Sequence, residues 1–211
     1  MKIVKKIILI VIAVFLGALY SFGVWPRAIY NTDIGANSYE NTGALQSGVI
    51  LQQEYTCVDD GMCGLKIKLT KQESQTIGNY NWSLTDSSTG KTIASGVIDE
   101  ASTGNSEFVS SSAQKRGNVE LDIPRQKDSK GKKYVLSIQS DDVTENQTMA
   151  VYMTEKSRVT TALSIDGNNI DNKAIVLKVE YKRFNVETFI VFLGIMLYLY
   201  CFVKFVYRLF R

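Results

Sequence analysis

Two kinds of residue in this chain could do chemistry, namely cysteines and adjacent carboxylates, and the 211 residues include no histidine. Without histidine, neither a Ser-His-Asp triad nor a Cys-His pair can form, and no metal can bind to imidazole. Adjacent carboxylates occur at Asp59-Asp60, Asp99-Glu100 and Asp141-Asp142, but neighbouring residues on a strand point to opposite faces. No phosphate-binding glycine loop or dinucleotide motif is present. We therefore expect no catalytic residue, no cofactor and no enzymatic activity.

The pair Asp141-Asp142 is the one weak candidate for a metal site. Calcium takes carboxylate and backbone oxygens as ligands, and jelly rolls sometimes bind it through such loops. The alternative is that both carboxylates are solvated turn residues. No other metal site is predicted.

Cys57 and Cys63 enclose Val-Asp-Asp-Gly-Met, in which Asp60-Gly61 is a turn signal. Two cysteines that flank a tight turn between strands can reach bonding distance across the end of a hairpin. A disulfide there would restrict the unfolded chain by about 2–3 kcal/mol. A structural zinc site needs four Cys or His ligands, so metal binding is the weaker interpretation. We predict a structural disulfide, and we interpret Cys201 as helix surface.

Hydrophobic runs near both ends of the chain predict transmembrane helices. The first run, residues 7–25, has the length of about 20 residues that crosses a bilayer core. The second is uninterrupted over residues 189–203 and spans 187–207 if Lys204 snorkels to the interface. A cleaved signal peptide is the alternative for the first run, because a basic start precedes it and small residues lie near its end.

The basic residues predict the orientation of both runs. Lys2, Lys5 and Lys6 precede the first run, whereas only Arg27 follows it closely, and this bias places the N-terminus in the cytoplasm. Two spans then return the C-terminus to the cytoplasm. The predicted organisation is a cytoplasmic segment 1–6, a helix 7–25, a linker 26–46, an extracytoplasmic domain 47–183, a helix 187–207 and a cytoplasmic tail 208–211.

The residues between the two runs alternate as an all-β domain does. Apolar and basic residues alternate over residues 64–69, as in a half-buried antiparallel strand. Tyr80, Trp82 and Leu84 alternate likewise, so we expect both aromatic residues to be buried, whereas Phe108 and Tyr152 could face either way. Short strands between turns predict a sandwich or jelly roll. Further strands are predicted at 93–98, 107–110, 119–123, 134–140, 148–154, 159–165 and 174–181. The predicted core between the sheets includes Val119, Leu121, Tyr134, Leu136 and Ile138.

The order of several motifs in this domain resembles a known family. The motifs are Gln52-Gln53-Glu54-Tyr55, Asn81-Trp82-Ser83-Leu84-Thr85-Asp86, Thr89-Gly90-Lys91-Thr92-Ile93, Gly131-Lys132-Lys133-Tyr134-Val135-Leu136-Ser137-Ile138 and Ser140-Asp141-Asp142. They resemble extracytoplasmic jelly-roll domains attached to multi-pass membrane proteins of bacterial surface-polysaccharide synthesis, which look like carbohydrate-binding modules. The resemblance covers roughly residues 47–155, and this chain differs by lacking the multi-pass portion and by adding the cysteine pair. It implies a fold more directly than a function.

Ala13, Gly17 and Ser21 recur every four residues of the first run, so they line one face of a helix with small side chains. Such a face allows another helix to approach closely in lipid. The partner could be the second run near Gly194, or a different membrane protein.

These patterns predict a bacterial, non-enzymatic accessory or binding subunit in surface-polysaccharide assembly, beside a multi-pass glycosyltransferase or polymerase. The expected partners are the lipid bilayer, that multi-pass protein and a surface glycan, and the basic stretch 127–133 could touch an anionic polymer or headgroups. Nucleic acid is not expected outside a membrane, and no ligand-binding residue is assigned. One alternative is an auxiliary subunit of a transporter or channel, with the sandwich as a protein-docking module. Another is a membrane-tethered enzyme that uses carboxylates.

Overall fold

The computed structural model of the protein describes residues 2–71, 76–102, 118–158 and 160–210. The chain forms two units: a helical unit of Met1–Trp25 with Lys182–Arg211, and a β domain of Pro26–Tyr181. Each unit has its own packing. The predicted 107–110 strand and Phe108 lie outside the described residues.

The helical unit contains helix α1 (Lys2–Ser21) and helix α2 (Val186–Leu209). By length and composition, α2 is the one helix in the described residues that could cross a membrane. The apolar part of α1 runs over Ile10–Ser21 and is shorter than a membrane-spanning helix. Two spans and their orientation therefore stay predictions.

The start of α2 is fixed by its capping residue. The side-chain carbonyl of Asn185 accepts a hydrogen bond from the backbone N–H of Thr188 at 3.1 Å, which satisfies one of the unpaired N–H groups of the first turn. Glu187 lies in the first turn and Arg208 in the last, which suits the helix dipole. Predicted helix 187–207 and observed helix differ by one or two residues at each end.

The first predicted span and the predicted linker both differ from the structure. Helix α1 ends at Ser21, and residues 22–25 begin a strand, because Gly23 and Pro26 are poor helix formers. The linker 26–46 is packed into the β domain: Ile29, Tyr30 and Leu45 are all buried.

The strands form two antiparallel sheets. In chain order they are β1 (Phe22–Ala28), β2 (Glu40–Asn41), β3 (Ile50–Thr56), β4 (Met62–Lys71), β5 (Tyr80–Asp86), β6 (Thr92–Ile98), β7 (Asn118–Gln126), β8 (Lys133–Gln139), β9 (Met149–Glu155), β10 (Thr160–Ile165), β11 (Asn168–Ile170), β12 (Lys173–Ile175) and β13 (Leu177–Phe184). The seven-stranded sheet has the order β1-β13-β4-β9-β12, with β7 on β4 and β2 on β9. The six-stranded sheet has the order β11-β10-β3-β8-β5-β6. The predicted all-β domain of two antiparallel sheets is confirmed.

The core lies between the sheets and follows the period of two. Tyr134, Leu136 and Ile138 of β8 are buried, as are Val119 and Leu121 of β7, so the predicted core is confirmed. Each Leu- or Ile-sized side chain buried in this way contributes about 1.5–3 kcal/mol. The strands supply these residues because successive side chains alternate between the two faces.

One buried polar side chain joins the two sheets. Gln53 of β3 donates through Nε2 to the carbonyl of Ala162 at 2.8 Å, and its Oε1 accepts from the N–H of Ile175 at 3.0 Å. Ala162 lies in the same sheet as Gln53, whereas Ile175 belongs to β12 of the other sheet. Because all these groups are paired, the amide fixes the relative position of the sheets without a desolvation penalty.

Candidate functional site

The predicted disulfide between Cys57 and Cys63 is absent, because β3 and β4 do not form a hairpin. Strand β3 belongs to the six-stranded sheet and β4 to the seven-stranded sheet, so the turn between them crosses from one sheet to the other. Cys57 is a buried thiol. Opposite β13, Cys63 is the extra residue of a β-bulge between Met62 and Gly64, and it is partly exposed. The predicted disulfide is therefore replaced by two thiols, one on Cys57 and one on Cys63.

Ser129 holds this turn in place of a disulfide. Its buried hydroxyl accepts a hydrogen bond from the N–H of Met62 at 3.1 Å and donates to the carbonyl of Asp59 at 2.9 Å. Nearby, Asp60 accepts from the N–H of Lys130 at 2.9 Å. The basic stretch 127–133 thus packs against the turn through its backbone and through Ser129.

The buried end of this turn is chemically inert. Burial, the largest effect, raises the pKa of Cys57 to about 11, although a hydrogen bond with Tyr181 opposes the shift. The Tyr181 hydroxyl accepts from the N–H of Val58 at 3.2 Å, and the Cys57 sulfur lies 3.6 Å from the sulfur of Met62. A thiol held in its protonated form is a poor nucleophile and a poor metal ligand. This cluster therefore supports the fold rather than a reaction.

The weak calcium candidates Asp141 and Asp142 lie in an exposed bend. Asp142 accepts a hydrogen bond from the hydroxyl of Ser140 at 3.1 Å, and the carbonyl of Asp141 accepts from the hydroxyl of Ser47 at 2.6 Å. Across the described ranges, no group of three or more His, Cys, Asp or Glu side chains could hold a metal ion. The hydrogen bonds give this pair a local role in shaping the bend.

Tyr80 and Trp82 are buried, as predicted. The Tyr80 hydroxyl donates to the carbonyl of Leu45 at 2.6 Å and accepts from the N–H of Met149 at 3.1 Å. The Trp82 indole packs over Gly96 of the neighbouring strand, where an added Cβ would lie 2.8 Å from the indole nitrogen. Both rings thus have partners inside the domain, and Trp82 also lies among the residues that line the groove described next.

The outer face of the six-stranded sheet carries a groove of about 580 Å³. Apart from Trp82 and Gly96, its lining residues come from the outward positions of β3, β8, β5 and β6, which the strand register aligns in two rows. The first row is Gln52, Ser137, Ser83 and Ser95. The second row is Ile50, Gln139, Asn81 and Val97. We call this surface the hydroxyl–amide groove.

The hydroxyl–amide groove is polar but uncharged. Among the described residues that line it, none is acidic or basic. Gln52 donates to the hydroxyl of Ser137 at 3.2 Å, which links two strands along the first row. Within the described part of the chain, the side chains of Asn81, Ser83 and Gln139 make no hydrogen bond to protein. Their amides and hydroxyl can both donate and accept, so they are available to a polar, neutral ligand.

The small-residue face of α1 packs against α2 of the same chain. Gly17 and Ser21 are buried, and Ala13 is partly buried. An added Cβ at Gly17 would lie 2.9 Å from Phe192 and 3.2 Å from Phe189. At Gly194 an added Cβ would meet nothing within 4 Å. Helix α1 therefore contacts α2 closely at Phe189 and Phe192 and not at Gly194.

No known protein-family model matches this chain, and no curated protein sequence matches it either. Function is therefore inferred from the geometry of the β domain. Sequence reasoning did not assign the hydroxyl–amide groove, although one signal was present. Six of the eight outward residues of β3, β5, β6 and β8 that form the two rows are Ser, Asn or Gln.

Proposed function

We propose that this protein is a membrane-anchored, non-catalytic binding protein for a neutral glycan, with the hydroxyl–amide groove as its binding site. The observation that carries the proposal is the uncharged pair of rows on the outer face of the six-stranded sheet. A sugar presents hydroxyls that donate and accept, and the amides and hydroxyls of Asn81, Ser83 and Gln139 complement them.

The shape and polarity of the groove favour such a ligand over a charged one. A volume of about 580 Å³ lies in the usual range for small-molecule sites. Charged ligands would require a countercharge, which the described lining residues do not supply. Ile50 and Val97 add apolar contact at the two ends of the second row, where the CH face of a sugar ring can lie.

The resemblance to surface-polysaccharide jelly rolls extends the proposal to a cellular role. In this role the protein presents a glycan beside a multi-pass glycosyltransferase, polymerase or flippase. The Gly17 face of α1 is already covered by Phe189 and Phe192, so a partner would contact other faces of the two helices. Exposed apolar residues there include Ile190, Leu197 and Val203. Recovery of such a multi-pass protein with the full chain from detergent extracts is the expected result.

Binding of neutral oligosaccharides to the full-length protein in a neutral detergent tests the site. Asn81→Ala and Gln139→Ala each remove a side chain that has no hydrogen bond to described residues, so the fold should persist. Each should weaken binding roughly tenfold, since a lost hydrogen bond costs about 0.5–1.5 kcal/mol and a neighbouring group is left unpaired. Asn37→Ala, an exposed amide outside the groove, is the matched control.

Three results would count against the proposal. Wild-type protein that binds no neutral oligosaccharide would favour the protein-docking alternative. Binding that is equal in wild type, Asn81→Ala and Gln139→Ala would place the glycan elsewhere. Turnover of the bound oligosaccharide by purified protein would instead favour the enzyme alternative.

A further inference from the structure

The outer face of the seven-stranded sheet carries a second groove. Its lining is positively charged, whereas that of the hydroxyl–amide groove is uncharged. This lysine groove has a volume of about 440 Å³ and includes Tyr30, Tyr39, Lys66, Lys68 and Lys178 among its lining residues. Lys66 and Lys68 project from β4, and Lys178 projects from the neighbouring strand β13. The strand register places Lys66 directly opposite Lys178.

This arrangement concentrates positive charge on neighbouring strands. Like charges placed directly opposite on an antiparallel pair destabilise it. Lys66 is compensated, because its ammonium lies 2.7 Å from Glu120 and 2.9 Å from Glu180. For Lys68 and Lys178, no carboxylate of the described residues lies within ion-pair distance. Lys68 and Lys178, both partly buried residues, thus have no countercharge from the described part of the chain.

Aromatic rings position one of these ammonium groups without neutralising it. The Lys68 ammonium lies 5.3 Å from the ring centroid of Tyr39 and 5.0 Å from that of Tyr152. Cation–π contacts of this kind hold a lysine in place while it keeps its charge and its three N–H donors. Tyr39 is itself supported by Tyr30, which packs edge-on with ring centroids 6.0 Å apart. These contacts support Lys68 from within the domain itself.

We propose that the lysine groove binds a phosphate group, with Lys68 and Lys178 as its two cationic contacts. Lysine acts as a point charge toward phosphate, and ammonium groups from two strands can approach different oxygens of one tetrahedral anion. A phosphate monoester carries about −1.5 to −2 charges at pH 7, which matches two uncompensated lysines. The phosphate could belong to a soluble phosphorylated sugar or to a lipid headgroup. The site is independent of the hydroxyl–amide groove, which lies on the other sheet.

A phosphate titration tests the site. The melting temperature of full-length protein in a neutral detergent is measured as inorganic phosphate is added, and chloride keeps the ionic strength constant. A ligand that binds only the folded protein raises the melting temperature, and above the dissociation constant the stabilisation grows with the logarithm of the ligand concentration. We expect this rise in wild type, and the same rise only at a phosphate concentration roughly tenfold or more higher in Lys68→Gln and in Lys178→Gln. Lys91→Gln, an exposed lysine in the turn between β5 and β6, should respond like wild type.

A charge-preserving variant separates the loss of charge from a loss of packing. Lys68→Arg keeps the cation and its contact with the rings, so it should retain most of the response to phosphate. A melting temperature of wild type that does not rise with phosphate would overturn the proposal, as would an equal rise in wild type and Lys68→Gln. Neither result bears on neutral oligosaccharide binding, so the two proposals fail separately.

Nanodiscs distinguish the two sources of phosphate. In discs that contain phosphatidic acid, whose headgroup is a phosphate monoester, a headgroup in the groove would compete and weaken the response to added phosphate, relative to discs of phosphatidylcholine, whose phosphate is a diester balanced by choline. An equal response in both discs identifies a soluble phosphate ester as the ligand. Both results support a phosphate site and assign its source.

Discussion

Ser129 fixes the position of Met62: its buried hydroxyl accepts a hydrogen bond from the Met62 N–H at 3.1 Å while donating to the Asp59 carbonyl at 2.9 Å. Ser129→Ala should lower the free energy of unfolding by about 1–3 kcal/mol, because it leaves a buried N–H unpaired. Denaturant unfolding of the full chain measures this. Ser87→Ala, at an exposed turn, should change stability by less than about 0.5 kcal/mol. Equal stability of both variants would contradict this role for Ser129.

Cys57 should react with thiol reagents only after unfolding. Burial raises its pKa to about 11, so little thiolate exists at pH 8, and the side chain is 1% exposed. In a Cys63→Ser/Cys201→Ser background, labelling by a maleimide should be slow in native protein and fast in denaturant. In unmodified protein, mass spectrometry of non-reduced peptides should show Cys57 and Cys63 unlinked. A linked peptide would restore the disulfide.

Glu100 should make stability depend on acid pH. Partial burial raises its pKa, but hydrogen bonds from Lys71 at 2.6 Å and from the Ile77 N–H at 2.7 Å outweigh burial, so the pKa lies below the usual 4.5. A lowered pKa gives stability that is fully present above the unfolded value and lost as pH falls through the folded value. The stability difference between wild type and Glu100→Gln should therefore be constant near neutral pH. It should shrink below about pH 4.5. A difference that does not change with pH would contradict the ionised pair.

Gly17→Ile should weaken the packing of α1 on α2 by about 1–3 kcal/mol, because the added side chain overlaps Phe192 and Phe189. Gly194→Ile is the matched control, since it extends into open space. The packing can be measured by cross-linking two introduced cysteines, Ala13→Cys and Met196→Cys. Both positions line the groove between the helices, so the yield of the cross-link reports how closely the helices pack. The yield should fall with Gly17→Ile and stay unchanged with Gly194→Ile. Equal yields would show that the glycine is not required.

The charge bias predicts that the β domain is outside the cell and that both termini are inside. In a cysteine-free background, Ser87→Cys should be labelled by an impermeant maleimide on intact cells, because Ser87 lies in an exposed turn. Phe210→Cys, which is also exposed, should be labelled only after permeabilisation. The reverse pattern would falsify the orientation.

Local periodicity explains why much of the β domain could be predicted. Burial of every second residue is a property of a single strand, so the alternation around Leu65 and Leu136 showed both the strands and their inward faces. The burial of Tyr80 and Trp82 followed from the same alternation. The long apolar helix near the C-terminus was likewise visible, because hydrophobic length is a one-dimensional property.

Strand pairing, in contrast, is decided between segments that are distant in the chain. The predicted hairpin at Cys57 and Cys63 required β3 and β4 to be neighbours in one sheet, but they belong to different sheets. Hydrogen bonds to Ser129 hold the turn between them instead. The hydroxyl–amide groove exists because β8 inserts between β3 and β5, and the lysine groove because β13 lies beside β4. The sequence by itself determined the alternation of inward and outward side chains along strands such as β4, β5 and β8. Only the tertiary structure decided which of them meet, because antiparallel partners are selected by the packing of the whole core.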